Sequence, residues 1–140
     1  MQALYTAHAH ATGGREGSAA SDDGRLSIGL ATPKELGGGG GQGTNPEQLF
    51  AAGYAACFAQ ALVRAARDRG VALGGPPAVT AEVGVGRLEN GRLSLAVGLR
   101  ASLPGVDRPQ AEALVAMAHE EICPYSRATR GNIEVSVRVV

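Results

Sequence analysis

One long helix signal near the middle of the chain constrains the fold more than any other feature. Asn45 is a favourable N-cap residue, and Pro46 suits the first helical position. Gly70 can supply a left-handed C-terminal residue, so we predict a helix over residues 46–69. Its longest uncharged stretch is residues 48–63, which is shorter than the roughly 20 residues of a membrane span. We therefore expect a helix buried in a protein core.

Short strands are predicted before this helix. Residues 4–12 alternate between apolar and polar side chains, which is typical of a half-buried strand. Two further short strands are expected near residues 18–21 and 25–31, separated by a turn at residues 22–24. The pattern indicates an antiparallel meander. The glycine-rich segment 36–44 predicts a mobile loop, because glycine loses the most backbone freedom on ordering.

A second group of elements follows the helix. Residues 79–88 and 92–103 read as two long strands, and the Asn-Gly pair between them favours a type I′ hairpin turn. A second helix is predicted over residues 108–121, ended by Pro124, and a last strand over residues 133–140. The order of elements predicts an α+β fold with an antiparallel sheet in a single domain, residues 1–140.

Composition and charge exclude several classes of protein. The chain has 13 Lys and Arg against 13 Asp and Glu, and a net charge of zero argues against a nucleic-acid partner. The N-terminal residues lack the basic and apolar regions of a secretory signal, which favours a cytoplasmic location. Aromatic residues make up only 4% of the chain, so a subunit interface is a plausible source of additional buried apolar area.

The chain has two cysteines, Cys57 in the first predicted helix and Cys123 at the end of the second. Either one can be a small buried hydrophobic residue, as free cysteine commonly is. If both are functional, their economical use is thiol–disulfide chemistry, in which one thiolate attacks an oxidant and the other thiol condenses with the product. Two cysteines with scattered His8, His10 and His119 do not form a zinc site, and we read these histidines as structural.

Three segments resemble the organic hydroperoxide resistance (Ohr) family of the Ohr/OsmC superfamily. Residues 45–58 read NPEQLFAAGYAACF, residues 11–17 read ATGGREG, and residues 119–133 read HEEICPYSRATRGNI. The resemblance extends over essentially the whole chain, and the last segment favours the Ohr branch. It implies an Ohr/OsmC-like α+β fold, with antiparallel sheets packed around two helices in an intertwined homodimer.

The resemblance also implies an activity and a set of catalytic residues. The activity is a thiol-dependent peroxidase that reduces organic and fatty-acid hydroperoxides to alcohols. Cys57 would be the peroxidatic cysteine and Cys123 the resolving cysteine, while Arg15 and Glu47 would hold and activate the thiolate. The resemblance implies no bound cofactor. A dihydrolipoyl group on a lipoylated partner enzyme would supply the electrons.

Helix geometry adds an expectation about how the site is assembled. Glu47 and Cys57 are ten positions apart, which corresponds to a rise of roughly 15 Å along one helix. Two such helices packed about a two-fold axis would place Glu47 of one subunit opposite Cys57 of the other. We therefore expect composite active sites in a homodimer.

An apolar approach to the thiolate is expected from side chains near the two cysteines. Such a surface would favour bulky, lipid-like peroxides, because binding gains from buried apolar area. Arg127 and Arg130 are read as supports of the Cys123 turn or as surface residues, with docking of a lipoyl domain as an alternative role. The substrate-binding residues predicted in this way are Phe50, Tyr54, Ile122 and Tyr125.

Two other classes of function compete with a peroxidase. A binding protein of the same fold that had lost catalysis would not need all four of Arg15, Glu47, Cys57 and Cys123. A disulfide reductase would normally carry a CxxC pair at a helix start, and this chain has none.

Overall fold

The computed structural model describes residues 1–140, and these residues form two compact units, 1–49 and 50–140. Each unit contains one three-stranded sheet, and the long helix α1, Pro46–Asp68, begins in the first unit and continues into the second. The α+β class is as predicted. A single domain over residues 1–140 stays a prediction.

The first unit contains the expected antiparallel meander. Its strands are β1, Ala9–Thr12, β2, Ser18–Ser21, and β3, Ser27–Gly29, in the order β1-β2-β3. The prediction of a strand from residue 4 was wrong, because β2 pairs only with residues 9–12 and then turns away. The chain before β1 therefore has no neighbouring strand in this unit, and Leu4 is fully exposed.

The glycine-rich loop of the first unit is held by specific hydrogen bonds. A short 3-10 helix, Lys34–Leu36, precedes it. The N–H of Gly38 donates to the carbonyl of Pro33, and the N–H of Gly40 donates to the carbonyl of Thr32. A Cβ at Gly38 would lie only 2.2 Å from that carbonyl oxygen of Thr32. The absence of a side chain at this position is therefore required by close packing.

Helix α1 begins and ends where local sequence chemistry predicts. The Asn45 side chain accepts a hydrogen bond from the N–H of Gln48 at 2.9 Å, and Gly70 has a φ of 65°. By length and composition alone α1 is long and apolar enough to cross a membrane, a test that core helices also pass. One face of α1 packs into the protein core through Tyr54, Phe58, Ala61, Leu62, Ala65 and Ala66.

The second unit contains a mixed sheet rather than the antiparallel sheet expected. Its strands are β4, Ala78–Arg87, β5, Leu93–Ser102, and β6, Glu134–Val139, in the order β4-β5-β6. Strands β4 and β5 are antiparallel, whereas β5 and β6 are parallel. The two helical segments between β5 and β6 provide the long crossover that a parallel pair requires.

The β4–β5 hairpin forms at the predicted place with a different turn. A type I′ turn needs a positive φ at both central residues, and no residue other than glycine has a positive φ. Instead, the N–H of Gly91 donates to the carbonyl of Leu88, and Gly91 takes a φ of 80°. This is the pattern of a three-residue hairpin loop that ends in a left-handed glycine.

Two α-helices lie between β5 and β6. Helix α2, Arg108–Met117, begins at Asp107, whose side chain accepts a hydrogen bond from the N–H of Gln110 as predicted. It continues as one π-helical turn, Ala118–Ile122, before α3, Pro124–Thr129. Residues of α1, α2 and β5 form most of the buried core, and several of them are alanines that allow close packing.

Candidate active site

The two cysteines, which are 66 positions apart in the sequence, lie side by side in the second unit. Cys57 is in the middle of α1 and is half-buried, whereas Cys123 is 2% exposed. Both are free thiols, and the Sγ of Cys123 donates a hydrogen bond to the Sγ of Cys57 at 3.6 Å. A disulfide bond of about 2.05 Å requires the sulfurs to approach by only about 1.5 Å.

The π-helical turn and a proline together set the position of Cys123. The N–H of Cys123 donates to the carbonyl of Ala118, five residues earlier, at 2.8 Å. Cys123 itself is extended, with φ −69° and ψ 117°, because Pro124 follows it and disfavours the helical region. The chain thus breaks for one residue between the π-turn and α3, and that residue is the cysteine.

The electrostatic surroundings of Cys57 within the second unit oppose ionisation. Burial raises the pKa of the Cys57 thiol above its usual value of 9.0, and the neighbouring Cys123 raises this pKa further, because two adjacent sulfurs do not readily both ionise. The backbone N–H of Tyr125 acts in the other direction, since it donates to the sulfur and lowers the pKa. A reactive thiolate needs a depressed pKa. A positive charge close to Cys57 would lower this pKa and favour the thiolate.

A groove of about 360 Å³ opens at Cys57 and follows α1. Its apolar wall includes Ala61, Ile122 and Pro124, so the predicted side chain Ile122 does line an approach to the sulfur. Gln60 lines the groove one helical turn from Cys57. Towards the C-terminus of α1 the lining residues are Arg64 and Arg67.

The other three predicted substrate contacts form an aromatic cluster. The rings of Phe50 and Tyr125 are stacked at 6.2 Å between centroids, and each also contacts the ring of Tyr54. Tyr125 is 40% exposed, whereas Tyr54 is completely buried. The roles of all three as substrate contacts stay predictions. Tyr125 belongs to α3, and the rings of Phe50 and Tyr54 pack against it from α1.

A buried polar network joins α1 to the segment around Cys123, and no sequence motif predicts it. The hydroxyl of Tyr54 donates to the Oγ of Ser126 at 3.0 Å and lies 3.2 Å from the Oγ1 of Thr129. The Oγ of Ser126 is also 3.0 Å from the Nδ1 of His119. Burial lowers the pKa of His119, and the nearby Arg130 lowers it further. The network ties α1 to the π-turn and to α3.

A doubly hydrogen-bonded ion pair forms in the first unit between two of the predicted site residues. Arg15 donates to both carboxylate oxygens of Glu47, at 2.7 and 2.6 Å. The Arg15 guanidinium lowers the pKa of Glu47, and its own pKa is raised. The loop around Arg15 is tight, because a Cβ at Gly17 would lie 1.7 Å from the carbonyl oxygen of Thr12. A guanidinium held in this way keeps a fixed direction.

Two of the histidines singled out from the sequence, His10 and His119, lie in different surroundings. His10 lies on the exposed strand β1, and His119 belongs to the buried network. Arg130 donates to the backbone carbonyl of His119 and so links the end of α3 to the π-turn. No group of three or more metal-binding side chains comes together in the structure.

Comparison with known proteins identifies relatives along the whole chain. The OsmC-like protein family matches residues 38–138. The organic hydroperoxide resistance protein of Xanthomonas axonopodis pv. citri is 53% identical over 134 residues, which cover 96% of this chain and 93% of that protein.

Solved structures give the same relationship. An organic hydroperoxide resistance protein from Legionella pneumophila superposes with a TM-score of 0.92 at 48% identity and covers 99% of this chain and 98% of its own. One from Elizabethkingia anophelis, crystallised with thiocyanate bound, has a TM-score of 0.92 at 49% identity, with the same coverage.

Proposed function

The chain belongs to the OsmC family, in the group of organic hydroperoxide resistance proteins, and we propose that it is a thiol peroxidase that uses Cys57 and Cys123. A role in defence against organic hydroperoxides follows from the family. The observation that carries the thiol mechanism is the 3.6 Å contact between the two sulfurs at the end of an open groove. Cys57 is half-buried and Cys123 is buried, which suits a reaction in which Cys57 meets the substrate and Cys123 resolves the oxidised product.

In the first step of the proposed reaction, the Cys57 thiolate attacks the terminal oxygen of the hydroperoxide. The O–O bond breaks, the sulfur is oxidised to a sulfenic acid, and the alkoxide takes up a proton and leaves as the alcohol. The backbone N–H of Tyr125 supports the thiolate. The half-exposed side of Cys57 and the apolar groove give the hydroperoxide access.

In the second step, the thiol of Cys123 attacks the sulfenic sulfur of Cys57. An S–S bond forms, and the hydroxyl leaves with a proton as water. A dithiol must then exchange with this disulfide and become oxidised itself to restore both cysteines. We propose a dihydrolipoyl group of a lipoylated enzyme as that dithiol, because the family resemblance implies it.

We further propose that Arg15 and Glu47 of one subunit complete the site around Cys57 of the other in a homodimer. A cation close to Cys57 would favour its thiolate, since burial and the neighbouring Cys123 both raise its pKa. Arg15 has the right chemistry, because Glu47 holds its guanidinium by two hydrogen bonds and leaves its remaining edge for a thiolate or peroxide. Glu47 and Cys57 lie ten residues apart on α1, which favours a site shared across a two-fold axis.

The basic test is consumption of cumene hydroperoxide with dihydrolipoamide as reductant. The wild-type protein should turn over, while Cys57→Ser should be inactive, because a serine hydroxyl has a far higher pKa and supplies no nucleophile. A binding protein would show no turnover at all. Activity retained by Cys57→Ser would contradict the assignment of the peroxidatic residue.

Mixed dimers test whether the site is shared between subunits. Arg15→Ala and Cys57→Ser chains are unfolded together, refolded, and compared with each variant refolded alone. In a shared site, half of the dimers would be mixed, and one of the two sites in each would be intact. Activity should therefore recover to about one quarter of the wild-type value, as expected for free assortment into dimers. No recovery, with mixed dimers shown by mass spectrometry, would place Arg15 and Cys57 of the same chain in one site.

A further inference from the structure

The lining of the groove at Cys57 changes from mainly apolar to positively charged along its length, and this change indicates which kind of ligand the groove binds. It begins at the sulfur, continues along the apolar Ala61, Ile122 and Pro124 with Gln60 beside them, and reaches Arg64 and Arg67 towards the C-terminus of α1. An apolar channel that leads from a nucleophile to cations matches a ligand with an alkyl chain and an anionic end. The arginines are far enough from the sulfur to contact only that distant end.

The two arginines are not neutralised by their surroundings. The Nε of Arg64 is 2.6 Å from a carboxylate oxygen of Asp68, and the Nε of Arg67 is 3.6 Å from the other oxygen. One carboxylate is thus shared by two guanidinium groups, which leaves a net positive charge at this end of the groove. Both pairs use the Nε side of the guanidinium, so the terminal nitrogens are available for a second carboxylate.

We propose that Arg64 and Arg67 bind the carboxylate of hydroperoxy fatty acids and so determine substrate preference. The proposal rests on the thiol peroxidase function proposed above. It adds two residues that recognise the acid group and never touch the reacting oxygen atoms. An acidic protein surface fits the groove less well, because it would leave the apolar wall unfilled.

Helix geometry sets the distance that the substrate must span. Arg64 is seven residues and Arg67 ten residues beyond Cys57 on α1, which corresponds to a rise of roughly 10–15 Å. An extended alkyl chain advances by about 1.25 Å per carbon, given C–C bonds of about 1.5 Å. The groove therefore fits acids in which about 8 to 12 carbons separate the carboxylate from the hydroperoxide.

Matched acid and ester substrates test the proposal. The hydroperoxides of linoleic acid and of its methyl ester are compared in wild type, Arg64→Gln, Arg67→Gln and the double variant, with cumene hydroperoxide as a third substrate. For the acid, kcat/KM should fall about two- to fivefold per substitution, through KM, which is the usual range for an exposed ion pair. The values for the ester and for cumene hydroperoxide should not change.

Three controls separate this proposal from its alternatives. Arg108→Gln removes an exposed arginine that pairs with Glu112 four residues later, as Arg64 pairs with Asp68, and it should alter none of the substrates. A hydroperoxy acid with only about four carbons between the two groups spans roughly 5 Å and should be insensitive to Arg64→Gln and Arg67→Gln. The KM for dihydrolipoamide should be unchanged.

Several results would overturn the proposal. Equal losses on acid and ester would show a general disturbance of the groove, and no loss on the acid would show that the arginines do not bind it. A changed KM for a lipoylated donor protein, with the acid unaffected, would assign the arginines to donor docking. Wild-type turnover of cumene hydroperoxide decides the thiol peroxidase function independently of all these outcomes.

Discussion

Removal of one buried hydroxyl, in Tyr54→Phe, should weaken both the fold and the resolving step. The Tyr54 hydroxyl contacts Ser126 at 3.0 Å and Thr129 at 3.2 Å, and the tyrosine is completely buried. A buried hydrogen bond contributes about 0.5–1.5 kcal/mol to stability. Ser126 keeps its contact with His119, and Thr129 keeps its bond to the carbonyl of Tyr125, so neither is left unpaired. We therefore expect a loss of about 1–2 kcal/mol.

Thermal or urea unfolding at one fixed protein concentration measures this loss. A loss of 1–2 kcal/mol corresponds to a decrease in Tm of roughly 3–8 °C for a domain of this size. Tyr125→Phe is the matched control, because it removes the same atom from a 40% exposed tyrosine for which the structure shows no side-chain hydrogen bond. Its Tm should change by less than about 2 °C. Equal shifts in the two variants would refute the role given to the network.

Loss of the network should also change the rate of the resolving step, because the network holds α3 and therefore Cys123. In Tyr54→Phe, sulfenic acid should form on Cys57 at nearly the wild-type rate, whereas closure of the Cys57–Cys123 disulfide should slow. Stopped-flow mixing with one equivalent of cumene hydroperoxide, followed by thiol trapping and mass spectrometry, separates the two steps. A slowed first step with a normal second step would contradict this reasoning.

Three further predictions concern individual site residues. Cys123→Ser should reduce one equivalent of peroxide and then stall, with Cys57 found as sulfenic or more highly oxidised acid by mass spectrometry; an unmodified Cys57 would exclude it as the first nucleophile. Arg15→Ala should raise the Cys57 pKa, which is measured by the pH dependence of alkylation in a Cys123→Ser background. Arg15→Lys should recover only part of the peroxide rate, because lysine cannot form the two hydrogen bonds that Arg15 donates to Glu47. Unchanged alkylation profiles and peroxide rates would make Arg15 an ordinary loop residue. The pKa of His119 is lowered in the folded state, so the unfolded chain binds a proton first as pH falls below about 6.5, and the free energy of unfolding should decrease there. His119→Gln should flatten this part of the pH profile of stability. An unchanged slope would refute the lowered pKa of His119.

Local chemistry predicted the parts of the fold that depend on a few neighbouring residues. Asn45 and Pro46 start α1, Gly70 follows its end, and Asp107 starts α2, because capping is decided within one helical turn. The cysteines were identified by the segments around them, and the structure places their sulfurs in contact.

The features that the sequence did not predict depend on contacts between distant residues. The parallel pairing of β6 with β5 follows from the path of the crossover between them, which no strand pattern encodes. The contact between Tyr54 and Ser126 joins residues 72 positions apart. The groove along α1 needs Ile122 and Pro124 from another part of the chain, so Arg64 and Arg67 looked like ordinary charges at a helix end.

The π-helical turn at Ala118–Ile122 amounts to one additional residue inserted into an otherwise α-helical segment. Deletion of the exposed Glu120 would let the regular helix continue. Every residue after the deletion would then rotate by about 100° about the helix axis. Cys123 would turn away from Cys57, although the residues next to it in the sequence would be unchanged. The spacing between Ala118 and Cys123 is therefore as much a part of the redox pair as the cysteines themselves, and the same rotation would take Ser126 and Thr129 away from Tyr54.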